Sequence, residues 1–200
     1  MGSFCSRCRR HVGRSQLDRR ATPARFAVRM LILAVLLSGW PLLAWSDNGA
    51  PAPGTHPLDE NRQMHLSPAD RCPVCGMAVV KYEKFAGAIQ LKDKTTYYFC
   101  SAGCLIRAWL HPEIFIGRPQ TALQTVIVRE YFSGQTVDAR AVIWVAGSDV
   151  IGPMGPALVP LRDKPSLQTF TRRHGGRDTF LLNELNDERW FAITGKKAGR

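Results

Sequence analysis

The chain has 200 residues, of which 45% are apolar and 22% charged, and this composition excludes a disordered or fibrous protein. Its formal net charge of +11 is concentrated in the first 29 residues, which hold eight arginines and one acid, Asp18. Residues 47–200 hold 19 basic and 15 acidic side chains, so the body is only mildly cationic. A large nucleic-acid-binding surface is therefore not required, and we expect no nucleic-acid partner.

The first 46 residues have the character of an export leader. The arginine-rich stretch ends at Arg29 and is followed by an uncharged apolar run over 30–45, which is shorter than the roughly 20 residues of a spanning helix. This order predicts a secretory signal peptide cleaved after Ser46, with an uncleaved membrane anchor as the alternative. We expect a periplasmic protein, with membrane association possible but no lipid-modified cysteine after the apolar run. Cys5 and Cys8 lie in this leader and are assigned no function.

The rest of the chain is predicted to contain a flexible linker, two folded units and a tail. Residues 47–66 are rich in proline and glycine without an apolar period, which is typical of a mobile linker. The first unit is expected over 67–133 and the second over 134–193. Residues 194–200 form a polar tail that we expect to fray.

Each unit is predicted to have the order strand, strand, helix, strand. In the first unit, β-type runs at 85–91 and 95–100 precede a helical pattern that Pro112 ends, and a strand follows at 122–132. The second unit is predicted to have a strand at 141–147, a second around 160–162, a helix at 166–176 and a strand at 178–185. The sequence thus predicts an α+β fold of two small ββαβ units with antiparallel sheets.

Four cysteines in the body carry the strongest chemical signal. Cys72 and Cys75 form one close pair on a Pro/Gly turn, and Cys100 and Cys104 form a second pair after a hairpin-sized gap. Two close pairs at such a distance are typical of a metal site. Ser101 is a good helix N-cap, which places Cys104 at the third helical position, where backbone amides favour a thiolate.

Three other interpretations of these cysteines stay open. Four thiolates suit a structural Zn²⁺ site, and two disulfides are common in exported chains. A thiol oxidoreductase is disfavoured because its C-x-x-C motif should open a helix, whereas the residues after Cys75 are predicted to be extended.

Two methionines favour copper over zinc as the metal of this site. Met77 lies two residues after Cys75, and thioether with thiolate is a soft ligand set that Cu(I) prefers and zinc seldom accepts. Met154 stands between Gly/Pro pairs, where a tight exposed turn can bring it to a metal on the neighbouring unit. Other candidates, each more typical of a structural or solvated side chain, are Met64, His65, His111 and His174.

Five ordered motifs together make the chain similar to the NosL family of nitrous oxide reductase accessory proteins. The motifs are CPVCGM (72–77), FCS (99–101) leading into LIRAWLHPE (105–113), VDARAVIWVAGS (137–148), GPMGPAL (152–158) and F-x3-HGG ending at Gly176.

The resemblance implies a periplasmic Cu(I)-binding chaperone that helps assemble the copper–sulfide centre of the reductase beside a membrane ABC-type maturation complex. By match to the motif, Cys75 and Met77 are the expected copper ligands, with Met154 a contributor from the second unit. Two features depart from the family pattern: the lipidation cysteine is absent, and Cys104 stands where an acidic residue is common. No catalytic constellation is present in the body, so a non-enzymatic function is expected. A zinc-stabilised binding module and a metallochaperone for a different cuproprotein are the alternatives.

Overall fold

The computed structural model describes residues 55–199. The predicted leader over 1–46, with Cys5 and Cys8, and the first part of the predicted linker lie outside these residues. Within the described range, none of the helices combines the length and apolar character needed to cross a membrane.

The first unit is a four-stranded antiparallel sheet covered by a helix. In chain order its elements are β1 (Gly87–Leu91), β2 (Thr96–Phe99), α1 (Ala102–Leu110), α2 (Pro112–Phe115), β3 (Leu123–Arg129) and β4 (Thr136–Asp138). The strands are ordered β2-β1-β3-β4. Strand β1 is central and buried along its whole length, and the loop to β2 turns at Lys94, which has a φ of 70°.

Helix α1 packs closely on β1 because Gly87 has no side chain. A Cβ at this position would lie 2.6 Å from Leu105 Cδ1 and 2.9 Å from the Ile127 carbonyl oxygen. Leu105 and Ile106 are fully buried in this contact. The helix ends at Leu110, before Pro112, as the sequence predicts. Pro112 then opens the short helix α2, which was not predicted.

The second unit repeats the arrangement of the first. Its elements are β5 (Ile143–Ser148), β6 (Ile151–Gly152), β7 (Gly155–Pro156), β8 (Val159–Leu161), α3 (Lys164–His174) and β9 (Gly175–Phe180). The main antiparallel sheet has the order β8-β5-β9, which corresponds to β2-β1-β3, and β6 with β7 forms an inserted hairpin. The predicted α+β fold of two ββαβ units with antiparallel sheets is therefore confirmed.

One hydrophobic core joins the two units through alternate side chains of β5. Trp144 and Ala146 face the main core, where Trp144 stacks on Phe180 with ring centroids 6.3 Å apart. Val145 points to the opposite face and packs with Phe170 of α3. This alternation is the period of two that a strand imposes, and it holds the second unit against the first.

Several parts of the described chain differ from the sequence prediction, and the short strands β4, β6 and β7 were not predicted. The predicted strand at 178–185 is displaced: β9 ends at Phe180, and a 3-10 helix at Leu182–Glu184 follows. A further helix, α4 (Asp187–Thr194), was not predicted. After Cys75, a 3-10 helix at Val79–Phe85, broken at Tyr82, replaces the expected extended chain.

The segments predicted to be mobile pack onto the body where the structure describes them. In the predicted linker, His56 hydrogen-bonds to Asp70 and Tyr98, and Met64 is buried in the core. In the predicted tail, Ala198 is 2% exposed and its carbonyl accepts a 2.7 Å hydrogen bond from Arg107 Nε. Both segments gain hydrogen-bond partners and apolar contacts that composition alone does not reveal.

Candidate metal centre

The first cysteine pair lies on a tight turn closed by backbone hydrogen bonds. The amide of Cys72 donates to the Met77 carbonyl at 2.9 Å, and the amide of Gly76 donates to the Cys72 carbonyl at 2.8 Å. Gly76 adopts a φ of +74°, a left-handed conformation that glycine reaches at least cost. The turn is flanked by an antiparallel bridge between Arg71 and Ala78, so the positions of both cysteines are fixed by the backbone.

The second pair spans the junction of β2 and α1. Cys100 directly follows β2, and Ser101 caps the helix by accepting a 3.2 Å hydrogen bond from the Cys104 amide. Cys104 is therefore the third helical residue, as predicted, and lies one turn from Cys100. The helix start thereby presents both thiols at the end of the sheet that faces the first pair.

The two pairs converge on a single cluster. The sulfur atoms of Cys72, Cys75, Cys100 and Cys104 all lie within 4.8 Å of one another. The measured separations are 3.4 Å for Cys75–Cys100, 3.8 Å for Cys75–Cys104 and 3.9 Å for Cys100–Cys104. A tetrahedral ion with metal–sulfur bonds of about 2.3 Å sets its sulfurs about 3.8 Å apart, and a trigonal ion about 4.0 Å. The four thiols thus fit one tetrahedral metal ion, and any three of them are close enough to fit one trigonal ion.

The cluster is buried except on the side of Cys75. Cys72, Cys100 and Cys104 are each 1% exposed or less, whereas Cys75 is partly exposed. An incoming ligand therefore meets Cys75 before the other three sulfurs.

Hydrogen bonds among the thiols shift their pKa values in opposite directions. Hydrogen bonds from the Cys100 and Cys104 side chains hold the pKa of Cys72 far below its ordinary value. Hydrogen bonds to Cys104 and Cys72, together with burial, raise the pKa of Cys100. The hydrogen bonds within the cluster thus favour deprotonation of Cys72 over that of Cys100, and metal binding would release protons from the cluster.

The arrangement of the cysteines argues against two of the alternative interpretations, which are paired disulfides and a thiol oxidoreductase. All four cysteines are free thiols, so the described structure contains neither of the two disulfides that exported chains often have. The residues after Cys75 do not form an α-helix opened by the C-x-x-C pair, since the 3-10 helix begins only at Val79. This arrangement lacks the helix start that activates a thiol oxidoreductase.

The methionine candidates occupy different environments. Met77 is half-buried and packs against the main core, and Met64 is buried in it. Met154 lies in the turn between β6 and β7 and is 43% exposed. Met154 and Cys104 both line a cavity of about 210 Å³.

The three histidines that the sequence left as weaker candidates are each paired with a carboxylate. His65 contacts Asp59 at 2.8 Å, His111 contacts Asp187 at 2.7 Å, and His174 contacts Asp149 at 2.9 Å. None of them belongs to the sulfur cluster, which agrees with the structural role that the sequence favoured.

A histidine that the sequence analysis did not single out connects the two segments that carry the cysteines. His56 Nε2 lies 3.1 Å from Asp70 Oδ2, and the Tyr98 hydroxyl donates to the His56 carbonyl at 3.1 Å. Asp70 stands two residues before Cys72, and Tyr98 stands two residues before Cys100. His56 therefore links the two chain segments that present the cysteines. Its position in a Pro/Gly-rich segment gave no signal of this role.

Comparisons with known proteins agree with the geometry. A sequence model of the NosL family matches residues 63–190. The chain is 25% identical over 126 residues to the copper-binding lipoprotein NosL of Stutzerimonas stutzeri, a match that covers 59% of this chain and 66% of that protein. It is also similar to the crystal structure of the copper chaperone NosL from Shewanella denitrificans, with a TM-score of 0.54 and 20% identity over 65% of this chain and 99% of that one. The structural match shows a shared fold.

Proposed function

The chain belongs to the NosL family, and from that premise we propose that it is a non-enzymatic Cu(I) chaperone of an exported compartment. Its relatives are described as a copper-binding lipoprotein and a copper chaperone. We propose further that it delivers copper for assembly of the copper–sulfide centre of nitrous oxide reductase. Its partners would be the reductase and a membrane ABC-type maturation complex.

The observation that carries this proposal is the convergence of four cysteine sulfurs within 4.8 Å of one another. Thiolate ligands select soft ions, of which Cu(I) is one. The half-buried Met77 follows the first pair by two residues, and a thioether adds a neutral soft ligand that favours copper over zinc. We propose Cys72, Cys75, Cys100, Cys104 and Met77 as the set from which the cargo ion takes its ligands.

The exposure of the cluster suggests how the ion is exchanged. Cu(I) accepts two or three soft ligands, so a partner's sulfur can bind before the donor ligand leaves. Cys75 is the partly exposed cysteine, and we propose that exchange begins there while the buried sulfurs still hold the ion. Met154, at the rim of the adjoining cavity, is proposed as a transient ligand from the second unit.

Export is proposed from the leader. The basic stretch and apolar run of residues 1–46 support secretion with cleavage after Ser46. The Stutzerimonas relative is a lipoprotein, and membrane association is therefore part of the proposal for this chain.

Metal analysis under reducing conditions tests the function against its zinc alternative. Protein loaded with one equivalent of Zn²⁺ is titrated with Cu(I) held by a competing chelator. We expect Cu(I) to displace zinc stoichiometrically, because the same soft sulfur set binds Cu(I) more strongly. Retention of one equivalent of zinc with no Cu(I) uptake would instead establish a zinc-stabilised binding module.

A further inference from the structure

The cavity beside Cys104 has walls from several parts of the fold. The start of α1 contributes Ser101, Gly103 and Cys104, and α4 contributes Trp190. The β6–β7 hairpin contributes Gly152, Met154, Gly155 and Pro156, and the rest comes partly from β5 and β9. The cavity volume is about 210 Å³, which corresponds to roughly seven water molecules. It is large enough for a small organic molecule or a single long side chain.

The charged side chains that line this cavity are all cationic. They are Arg107, Arg177 and Lys196, and neither Asp nor Glu is among the lining residues. The start of α1 adds the positive end of its helix dipole. Charges of one sign around a concave surface with low-dielectric walls raise the local concentration of the opposite ion, so this cavity favours an anion.

The donors of the cavity are only partly used by the protein. Arg107 Nε donates to the Ala198 carbonyl at 2.7 Å. The side chains of Arg177 and Lys196 form neither an ion pair nor a hydrogen bond with any residue of the described range. Unlike an arginine held by an internal carboxylate, as Arg140 is by Asp138 at 2.8 Å, they are available to a ligand.

The Trp190 side chain is a buried part of the cavity wall. Trp190 is 4% exposed, and its indole Nε1 has no hydrogen-bond partner within residues 55–199. A buried N–H group without an acceptor costs about 1–3 kcal/mol. The comparable indole of Trp144 donates to the Ala139 carbonyl at 2.9 Å. Trp190 lines the cavity, but its Nε1 atom has almost no accessible surface, so the indole ring and not its N–H group forms part of the cavity wall.

The remaining lining residues restrict the class of anion. Met154, Leu158 and Ile193 contribute apolar surface, which suits a ligand with a short aliphatic part rather than a fully hydrated inorganic ion. Arginine binds a planar carboxylate through paired N–H groups. We propose that this cavity is a binding site for an aliphatic carboxylate, whose oxygens are held by Arg177 and Lys196 beside the Trp190 ring. The proposal does not depend on which metal the cysteine cluster holds.

The indole N–H resonance of Trp190 in the metal-free, reduced full-length chain is the direct readout. Glutarate is the probe for a free carboxylate, a blocked Glu-Gly-Glu peptide is the probe for acidic side chains of a partner protein, and the uncharged glutaramide is the control. We expect a saturable shift of the Trp190 resonance with glutarate, with the peptide or with both, and none with glutaramide. The resonance of Trp144 should stay in place, because its hydrogen bond is internal.

A pair of arginine variants makes the test specific. Arg177→Gln should weaken carboxylate binding about tenfold or more, since it removes a charge-assisted hydrogen bond. Arg172→Gln, an exposed residue of α3 outside the cavity, should bind as the wild type does. A shift with either carboxylate probe supports the proposal and identifies the source. No shift with either probe, an equal shift with glutaramide, or unchanged binding by Arg177→Gln would overturn it.

Discussion

At the scale of single residues, the four cysteines of the cluster are not equivalent. Cys72, Cys100 and Cys104 are buried and exchange hydrogen bonds among their sulfurs, while Cys75 is also in contact with the surface. A buried thiol can hold a metal but cannot meet an incoming partner. Cys75 therefore combines the two properties that metal transfer requires, which are proximity to the other sulfurs and accessibility.

Substitution of Cys75 should consequently weaken Cu(I) binding more than substitution of Met77 does. We expect Cys75→Ser to weaken Cu(I) binding strongly and to slow Cu(I) exchange, because it removes both a thiolate ligand and the exposed entry point. Met77→Leu should weaken Cu(I) binding with little loss of stability, since the two side chains have similar volume. Chelator competition measures the affinities and urea unfolding measures the stabilities. Unchanged Cu(I) affinity in both variants would exclude this ligand assignment.

At the scale of secondary structure, the beginning of α1 organises the second cysteine pair. The Ser101 hydroxyl accepts from the Cys104 amide at 3.2 Å, which starts the helix at the register that returns the Cys104 sulfur to within 3.9 Å of Cys100. Close packing of the helix on Gly87 then fixes its distance from the sheet. The site geometry thus depends on a helix cap and a glycine that would not themselves touch a metal.

Loss of this cap should reduce stability by a measurable amount. Ser101→Ala is expected to lower the free energy of unfolding of the metal-free, reduced protein by about 1 kcal/mol, the usual contribution of an N-cap. Ser148→Ala is the matched control, because the Ser148 hydroxyl is buried without a hydrogen-bond partner among the described residues. Its removal should be neutral or slightly stabilising. Urea unfolding monitored by circular dichroism gives both values, and equal losses in the two variants would refute the role of the cap.

Helix α4 has clear boundary signals in the local sequence, but its apolar period is weak. Asn186 caps the helix by accepting from the Arg189 amide at 2.9 Å, Asp187 and Glu188 stand in its first turn, and Gly195 ends it with a φ of 69°. Each of these is a standard helix boundary feature. The buried face consists of little more than Trp190, so the apolar period was too weak to predict the helix.

At the scale of the whole molecule, the fold was largely predictable because each unit uses strong local patterns. The β-rich runs around β1, β3 and β5 and the helical spacing of α1 were enough to indicate two ββαβ units. What sequence patterns could not supply was long-range packing. The contacts of His56 with Asp70 and Tyr98, and of Arg107 with Ala198, join residues far apart in the chain, and they turn segments of linker-like composition into parts of the body.

The candidate site was likewise only partly predictable from the sequence. The spacing of the cysteines and the capping serine predicted that the two pairs would meet, and their sulfurs do lie within 4.8 Å of one another. That these residues bind a metal stays a prediction. The cavity beside Cys104 was not predictable, because its lining comes from both units and from α4.

The central claim is that the four sulfurs are the donor set of one Cu(I) ion, which binds three of them at a time, and alkylation counted by intact mass tests it most directly. The full-length Cys5→Ser, Cys8→Ser variant restricts the count to the four thiols of the cluster. Over a time that alkylates all four in the metal-free protein, one equivalent of Cu(I) should leave at most one thiol reactive. Alkylation of two thiols in the copper-loaded protein would contradict the claim, because one pair would then lie outside the copper site.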